Sequence, residues 1–200
     1  MNMDKISGIL EAEANAIRHI PLPNGFEQAI EIIYNRVHNE GGKLVASGMG
    51  KAGQIAINIA TTFSSTGTPA VFLHPCDAQH GDLGVIQKND ILLLVSNSGK
   101  TREILELVEL AKRLFNHIPL VVITGNPESP LPELADVVIY TGNPAEVCPL
   151  GLTPTTSTTT MTVIGDVMVV MMMEKIQFTN GEYAKRHHGG YLGKKSRKEG

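Results

Sequence analysis

Three short stretches of this 200-residue chain gather hydroxyls, glycines and ionisable groups at spacings suited to binding an anion and moving protons beside it. The first is Ser47-Gly48-Met49-Gly50-Lys51-Ala52-Gly53, whose glycines fit G-x-G-x-x-G, a loop that lets backbone approach a phosphate at a helix N-terminus. A dinucleotide site would also need an acid closing the next strand. Only Asp77 offers one, displaced beyond His74-Pro75-Cys76, so a nicotinamide dehydrogenase is poorly supported. The second stretch, Ser96-Asn97-Ser98-Gly99-Lys100-Thr101, puts three hydroxyls and a run of backbone N–H groups at a helix start, a cradle for one phosphate. It is not a nucleotide P-loop, because the glycine required five positions before Gly99 is Leu94. Helix capping alone would use only one of these hydroxyls, from Ser98 or Thr101. The third stretch holds six threonines and a serine between 153 and 160. It reads either as a hydroxyl-rich wall around a polyhydroxy ligand or as a capped helix start packed on the sheet.

The ionisable residues fall near the same junctions. Glu103 sits one turn into the helix after Thr101, and Glu146 lies in the loop before the threonines. His80 lies in the glycine-rich stretch 77–84, and His187 and His188 precede a double glycine. Lys51, Glu103, Glu146 and His80 thus stand at ligand-side loops of one sheet and are candidates for acid–base work there. No His-x-x-x-His pair falls on an expected helix, and no metal is assigned. Cys148, beside Pro149, has no neighbouring base and reads as structural.

These groups need elements to position them. Ile6, Ile9, Leu10, Ala14 and Ile17 recur at helical spacing, as do Phe26, Ile30, Ile33, Tyr34 and Val37, with Pro21–Gly25 as the break. Five short apolar runs follow, at 43–47, 69–74, 91–96, 120–124 and 137–140. Helical stretches at 52–66, 102–115 and 131–135 lie between most of them. Uninterrupted apolar strands separated by helices predict a parallel sheet buried on both faces. Ligands of such sheets bind at the carboxyl ends of the strands. A long apolar helix at about 157–177, with Met171–Met173 as core filler, precedes a short one ending at His187. Residues 1–193 read as one α/β domain and 194–200 as a charged, solvated tail.

Composition narrows the class. Seventeen Lys and Arg against twenty Asp and Glu give a net charge of −3, which argues against a nucleic-acid or anionic-membrane binder. Two cysteines exclude a disulfide scaffold and suit a reducing compartment. The run 163–173 is interrupted by Gly165 and Asp166 and is too short to span a bilayer, and the first residues carry no apolar signal segment. A cytoplasmic globular protein is expected.

The stretches SGMGKAG (47–53), STGTP (65–69), HPCDAQHGDLG (74–84), SNSGKT (96–101), ITGNPES (123–129), CPLGLTPTTSTT (148–159) and HHGGYLG (187–193) resemble the sugar isomerase (SIS) domain family, specifically its arabinose 5-phosphate isomerases. The resemblance implies a flavodoxin-like, three-layer α/β/α sandwich around a five-stranded parallel sheet, assembled as a homodimer or homotetramer. It implies interconversion of D-ribulose 5-phosphate and D-arabinose 5-phosphate without a cofactor, for 3-deoxy-octulosonate (Kdo) synthesis toward lipopolysaccharide or capsule. Carried over by position, Lys51, Glu103, Glu146 and His187 match catalytic residues, with His187 reaching a neighbouring subunit's site. Ser47, Gly48, His80, Ser96, Asn97, Ser98 and Thr101 match substrate-binding positions. Lys100 stands where the family usually has glutamate, and His188 where it has proline. Longer members carry regulatory CBS modules; here feedback by CMP-Kdo is expected at the sugar-phosphate site itself. A catalytically silent phosphosugar sensor and an isomerase of hexose phosphates remain as alternatives.

Overall fold

The two central strands are joined at their amino ends by one buried carboxylate. In a computed structural model, which describes residues 3–197, Asp90 is 1% exposed. It accepts from the Lys43 amide at 2.9 Å, the Lys43 ammonium at 2.6 Å and the Gln87 amide at 2.7 Å. Strand β1 (Leu44–Gly48) starts just after Lys43 and β3 (Ile91–Val95) just after Asp90, so this contact sets Leu44 opposite Ile91. Outside this pair lie β2 (Ala70–Phe72), β4 (Leu120–Thr124) and β5 (Val137–Tyr140). All pairings are parallel, in the order β2-β1-β3-β4-β5.

Both faces of the sheet are buried, as uninterrupted apolar strands require. Ile91, Leu93 and Val95 pack toward one layer while Leu92 and Leu94 pack toward the other, and β4 alternates likewise. The first layer holds α2 (Phe26–Tyr34), α3 (Gly50–Ser65) and α7 (Thr156–Lys175). The second holds α5 (Arg102–Leu114) with the short α4 (Pro75–Ala78) and α6 (Pro130–Glu133). The architecture is the expected three-layer α/β/α sandwich. Helix α1 (Met3–Arg18) lies against α7 with no buried residue. Two short helices, α8 (Asn180–Arg186) and α9 (Gly190–Ser196), end the described chain.

Several boundaries differ from the sequence reading. The second helix passes at Asn35 into a π-helical turn, Asn35–Asn39. Edge strand β2 keeps only three residues. A 3-10 turn, Asp82–Val85, orders part of the stretch read as irregular. Helix α9 takes in residues 194–196, read as tail, and Ser196 is buried; residues 198–200 lie outside the described residues. The apolar helix α7 is twenty residues long, enough by length and composition to cross a membrane, but half of its apolar stretch is inside the protein. Met161, Met168 and Met172 fill the core along it.

Replacing Asp90 by alanine removes the acceptor for three donors at the junction of the two central strands. Chemical denaturation is expected to show a loss of about 3 kcal/mol or more, the cost of breaking a buried pair and stranding its partner.

Candidate active site

The chain runs from β1 outward to β2 on one side and from β3 outward to β5 on the other, so strand order reverses between β1 and β3. A cleft of about 1080 Å³ opens at the carboxyl ends beside that point. Its walls are the β1–α3, β3–α5 and β4–α6 turns and the long loop from Tyr140 to α7.

The β1–α3 turn is tight. A Cβ on Gly53 would come within 2.6 Å of the Gly48 carbonyl oxygen, so glycine there lets the helix sit on the strand end. Gly48 serves this packing and does not line the cleft. Ser47 is fully buried and donates to the Leu73 carbonyl at 2.6 Å, tying β1 to the residue after β2. Lys51, on the first turn of α3, lines the cleft.

Ser96, Asn97, Ser98 and Thr101 all line it too. The Ser96 and Thr101 hydroxyls pair at 2.9 Å, and the Ser98 hydroxyl accepts from the Lys100 amide at 3.2 Å. Among the described residues, neither Ser98 nor the N-cap residue Thr101 gives the first amides of α5 a side-chain hydrogen bond. Open amides at a helix start, with hydroxyls around them, form an anion cradle. The cradle is held from behind by the β4–α6 turn. Gly125 N–H donates to the Asn97 carbonyl at 3.0 Å, the Asn126 side-chain amide to the Ser98 carbonyl at 3.3 Å, and Leu131 N–H to the Gly99 carbonyl at 3.1 Å. Gly99 has φ +60°, and a Cβ there would lie 1.8 Å from the Ser129 hydroxyl, so no other residue fits. The Asn97 side-chain oxygen is buried without a partner.

Glu146, in the loop before α7, lines the same cleft as the cradle residues. One carboxylate oxygen accepts from the Thr155 amide at 2.7 Å, the Thr155 hydroxyl at 2.8 Å and the Ser157 amide at 3.3 Å; the other accepts from the Ser157 hydroxyl. Burial works to raise its pKa, but the bonds from Ser157 and Thr155 outweigh it and hold the group below the usual carboxylate range. Glu146 thus caps α7 as an ionised group, where acid–base chemistry favours a base tuned upward toward neutrality.

The threonine stretch divides between its two readings. Ser157 and Thr158 line the cleft, but Thr158 bonds back to the Thr155 carbonyl and Thr160 to that of Ser157, while the Thr155 and Ser157 hydroxyls donate to Glu146 and that of Thr156 to Glu13. Cys148, in the same loop, accepts from the amides of Thr153 at 3.1 Å and Leu152 at 3.2 Å. The Thr153 amide leads in bringing its thiol down to about 7, against burial and with help from Leu152. Backbone amides here supply the activation that the sequence shows no base to supply.

Besides Ser47 and Gly48, three further candidates lie off the cleft lining. Glu103 is half-buried on the first turn of α5, and His80 is exposed beyond α4. His187 follows the last residue of α8 and does not line the cleft. Helix α7 starts on the cleft with Ser157 and Thr158, while Ile176 and Phe178 just past its end pack beside Gly67, at the foot of α3. Twenty helical residues span about 30 Å. From Phe178, the seven residues of α8 and their flanks can recover about 18 Å at most. Asn126, Glu128, Tyr140 and Asn143, which are not among the residues expected from sequence, also line the cleft. Their one signal is that polar residues follow the ends of β4 and β5. Among the described residues no group of three or more His, Cys, Asp or Glu side chains is placed to hold a metal ion.

A parallel α/β domain with a hydroxyl-rich anion cradle at its switch point, and a lysine and a glutamate lining the same cleft, defines an anion-binding α/β domain. The SIS domain family model matches residues 38–171, and the chain belongs to that family. Among its relatives, arabinose 5-phosphate isomerase KdsD of Yersinia pestis is 48% identical over 170 residues, covering 85% of this chain and 50% of its own length. The Salmonella typhi KdsD is 42% identical over 187 residues, covering 94% of this chain and 56% of its own. The chain thus spans about half the length of these relatives. A Bacteroides fragilis structure, named as a candidate phosphosugar isomerase involved in capsule formation, is 61% identical with TM-score 0.93, covering 94% of this chain and 98% of that one. An Escherichia coli CFT073 protein solved in complex with arabinose 5-phosphate is 33% identical with TM-score 0.86, covering 94% of this chain and all of that one (100%).

Glu146→Gln is expected to lower stability at neutral pH by about 1 kcal/mol, the scale of a lost helix cap. Because the folded-state pKa is depressed, this contribution is present above the usual carboxylate range and is lost as pH falls through and below it. Urea titrations of wild type and variant from pH 7 to about pH 3 should therefore converge on the acid side.

Proposed function

We propose that the protein interconverts D-ribulose 5-phosphate and D-arabinose 5-phosphate. The observation that carries this reading is the uncapped α5 N-terminus ringed by Ser96, Ser98 and Thr101, with Lys51 and Glu146 on the same cleft. The phosphate sits on that cradle, and the sugar carbons extend toward Lys51 and Glu146. In the aldose-to-ketose direction a base takes the proton on C2 and the electrons form an enediolate with C1; the base returns a proton to C1 while the C2 hydroxyl proton passes to the C1 oxygen, which leaves the carbonyl at C2. Lys51 balances the developing negative charge. Of the two glutamates Glu146 has the position, and it is ionised, as a base must be. Glu103 does not line the cleft.

His187 assists ring opening in a neighbouring subunit's cleft, because its own chain cannot carry it back along the length of α7. Self-association is supported by apolar surface on the α1–α7 side, where Leu10 is 66% exposed, Leu22 81% and Val170 54%. The product feeds Kdo synthesis for lipopolysaccharide or capsule in the cytoplasm, and CMP-Kdo acts back at this same cleft, with Lys100 beside the cradle adding positive charge for its carboxylate and phosphate.

One observation favours a second reading, a phosphosugar sensor without catalysis: all of the polar partners of Glu146 are donors, which makes it a weak base. Proton NMR in deuterated water separates the two. With D-ribulose 5-phosphate, isomerisation is expected to yield arabinose 5-phosphate deuterated at C2, and CMP-Kdo to slow it competitively. Ligand line broadening without deuterium uptake would establish the sensor.

Subunit mixing tests the division of the site. Lys51→Ala and His187→Ala are each expected to be inactive. Mixed and re-equilibrated as dimers they should recover about a quarter of wild-type turnover, since half of the dimers carry one intact site. Mixtures as inactive as the parents would place both residues in the same subunit's site.

A further inference from the structure

The ring of His187 is fixed more firmly than a half-buried histidine at the end of a seven-residue helix requires. Its imidazole lies flat on the ring of Tyr183, with centroids 3.7 Å apart and planes 5° from parallel. Its Nδ1 lies 3.0 Å from the Tyr183 carbonyl oxygen. A carbonyl only accepts, so in the neutral ring Nδ1 carries the hydrogen and Nε2 the lone pair. Tyr183 is itself backed by the edge of Phe178, at 6.4 Å and 71°. Phe178 covers Gly67, where a Cβ would come within 2.9 Å of its ring, and the Arg186 guanidinium lies over it at 5.4 Å. On the main chain, the His187 carbonyl packs so closely on Gly193 that a Cβ there would lie 1.9 Å away. Capping the end of α8 would explain the Nδ1 bond alone. It explains neither the stacked ring nor the chain of aromatic contacts that anchors it to the foot of α3.

We propose that Tyr183 is a positioning residue for His187. Its ring and carbonyl together hold the imidazole in the Nδ1–H tautomer and present Nε2 outward as a proton acceptor. The consequence for the reaction rests on the reading of His187 as an active-site group; the tautomer and the ring orientation do not. A neutral acceptor nitrogen with its proton stored on the inner side is the form suited to taking the proton of a sugar hydroxyl. A freely rotating imidazole would present that form only part of the time.

Long-range proton–nitrogen correlation NMR on histidine-labelled protein, at about pH 8.5 where an ordinary imidazole is neutral, reads the tautomer directly. The unaltered protein is expected to show His187 protonated at Nδ1. Tyr183→Phe, which keeps the ring and the carbonyl, should retain that tautomer and turnover within about twofold. Tyr183→Leu, which keeps the carbonyl and loses the stack, should average the two tautomers and lower kcat about 10- to 100-fold with little change in KM, the scale of a misplaced group. Averaged or Nε2-protonated His187 in the unaltered protein overturns the proposal, and that measurement stands even if the leucine variant fails to fold. A folded Tyr183→Leu with an unchanged tautomer and kcat overturns it as well. Full turnover by His187→Ala is a separate outcome: it removes the reading of His187, and with it the part of Tyr183 in the reaction.

Discussion

The contact on which the rest of the structure depends is Asp90 with Lys43. It lies at the end of the sheet opposite the cleft, yet it sets where the cleft's walls end. Shifting β1 against β3 by one residue would exchange the faces presented by Leu44–Gly48, because side chains alternate along a strand. The same shift would move the turn after Gly48 relative to Ser96, and with it Lys51 relative to the cradle. Burying a carboxylate is costly, and here three donors offset that cost at the one junction between the strands that border the switch point.

With register set, an all-parallel sheet sends the helices that follow β1, β3 and β5 away from the same edge, so the N-termini of α3, α5 and α7 converge there. Each brings the positive end of its dipole and open amides. The chain fills one of the three itself: Glu146 occupies the start of α7, with Thr155 and Ser157 as donors. The start of α5 is left uncapped. The difference gives the cleft its polarity, since it is lined by open amides and Lys51 together with a carboxylate whose donors come from its own helix. It also sets where a phosphate and a reacting carbon can lie relative to each other. The cradle comes ready-made, because the β4–α6 turn holds it through Gly125, Asn126 and Leu131, so little ordering remains to be done when a ligand binds.

Much of this was legible in the chain. Five apolar runs marked five strands because burial on both faces leaves no polar positions inside them. The cradle was legible because Ser96, Ser98 and Thr101 exceed what capping needs. The inward turn of the threonine hydroxyls was not, since bonding back to carbonyls three residues earlier depends on rotamers rather than on composition. Helix α9 was hidden because residues 190–196 pair two glycines with two lysines and show little periodicity. Ser47 stands in a glycine-rich loop motif yet serves as a strap to Leu73, a distinction that only the third dimension draws. Cys148 shows the same limit, since its activating groups are main-chain amides that any residue would supply.

The separation of His187 from its own chain's cleft follows from a length, not from a side chain. Helix α7 is buried along one stripe from Thr156 to Met172, so it can neither bend nor shorten without losing core contacts. As long as it runs the depth of the domain, whatever follows it emerges at the foot. On the proposed reading, binding and chemistry are therefore divided: a single chain can cradle a phosphate, and only an assembly can bring the histidine to it. A sensor built on the same cleft would need no such assembly and would gain nothing from the stack that fixes His187. That Gly67, Phe178 and Tyr183 together hold one imidazole weighs toward catalysis on that reading.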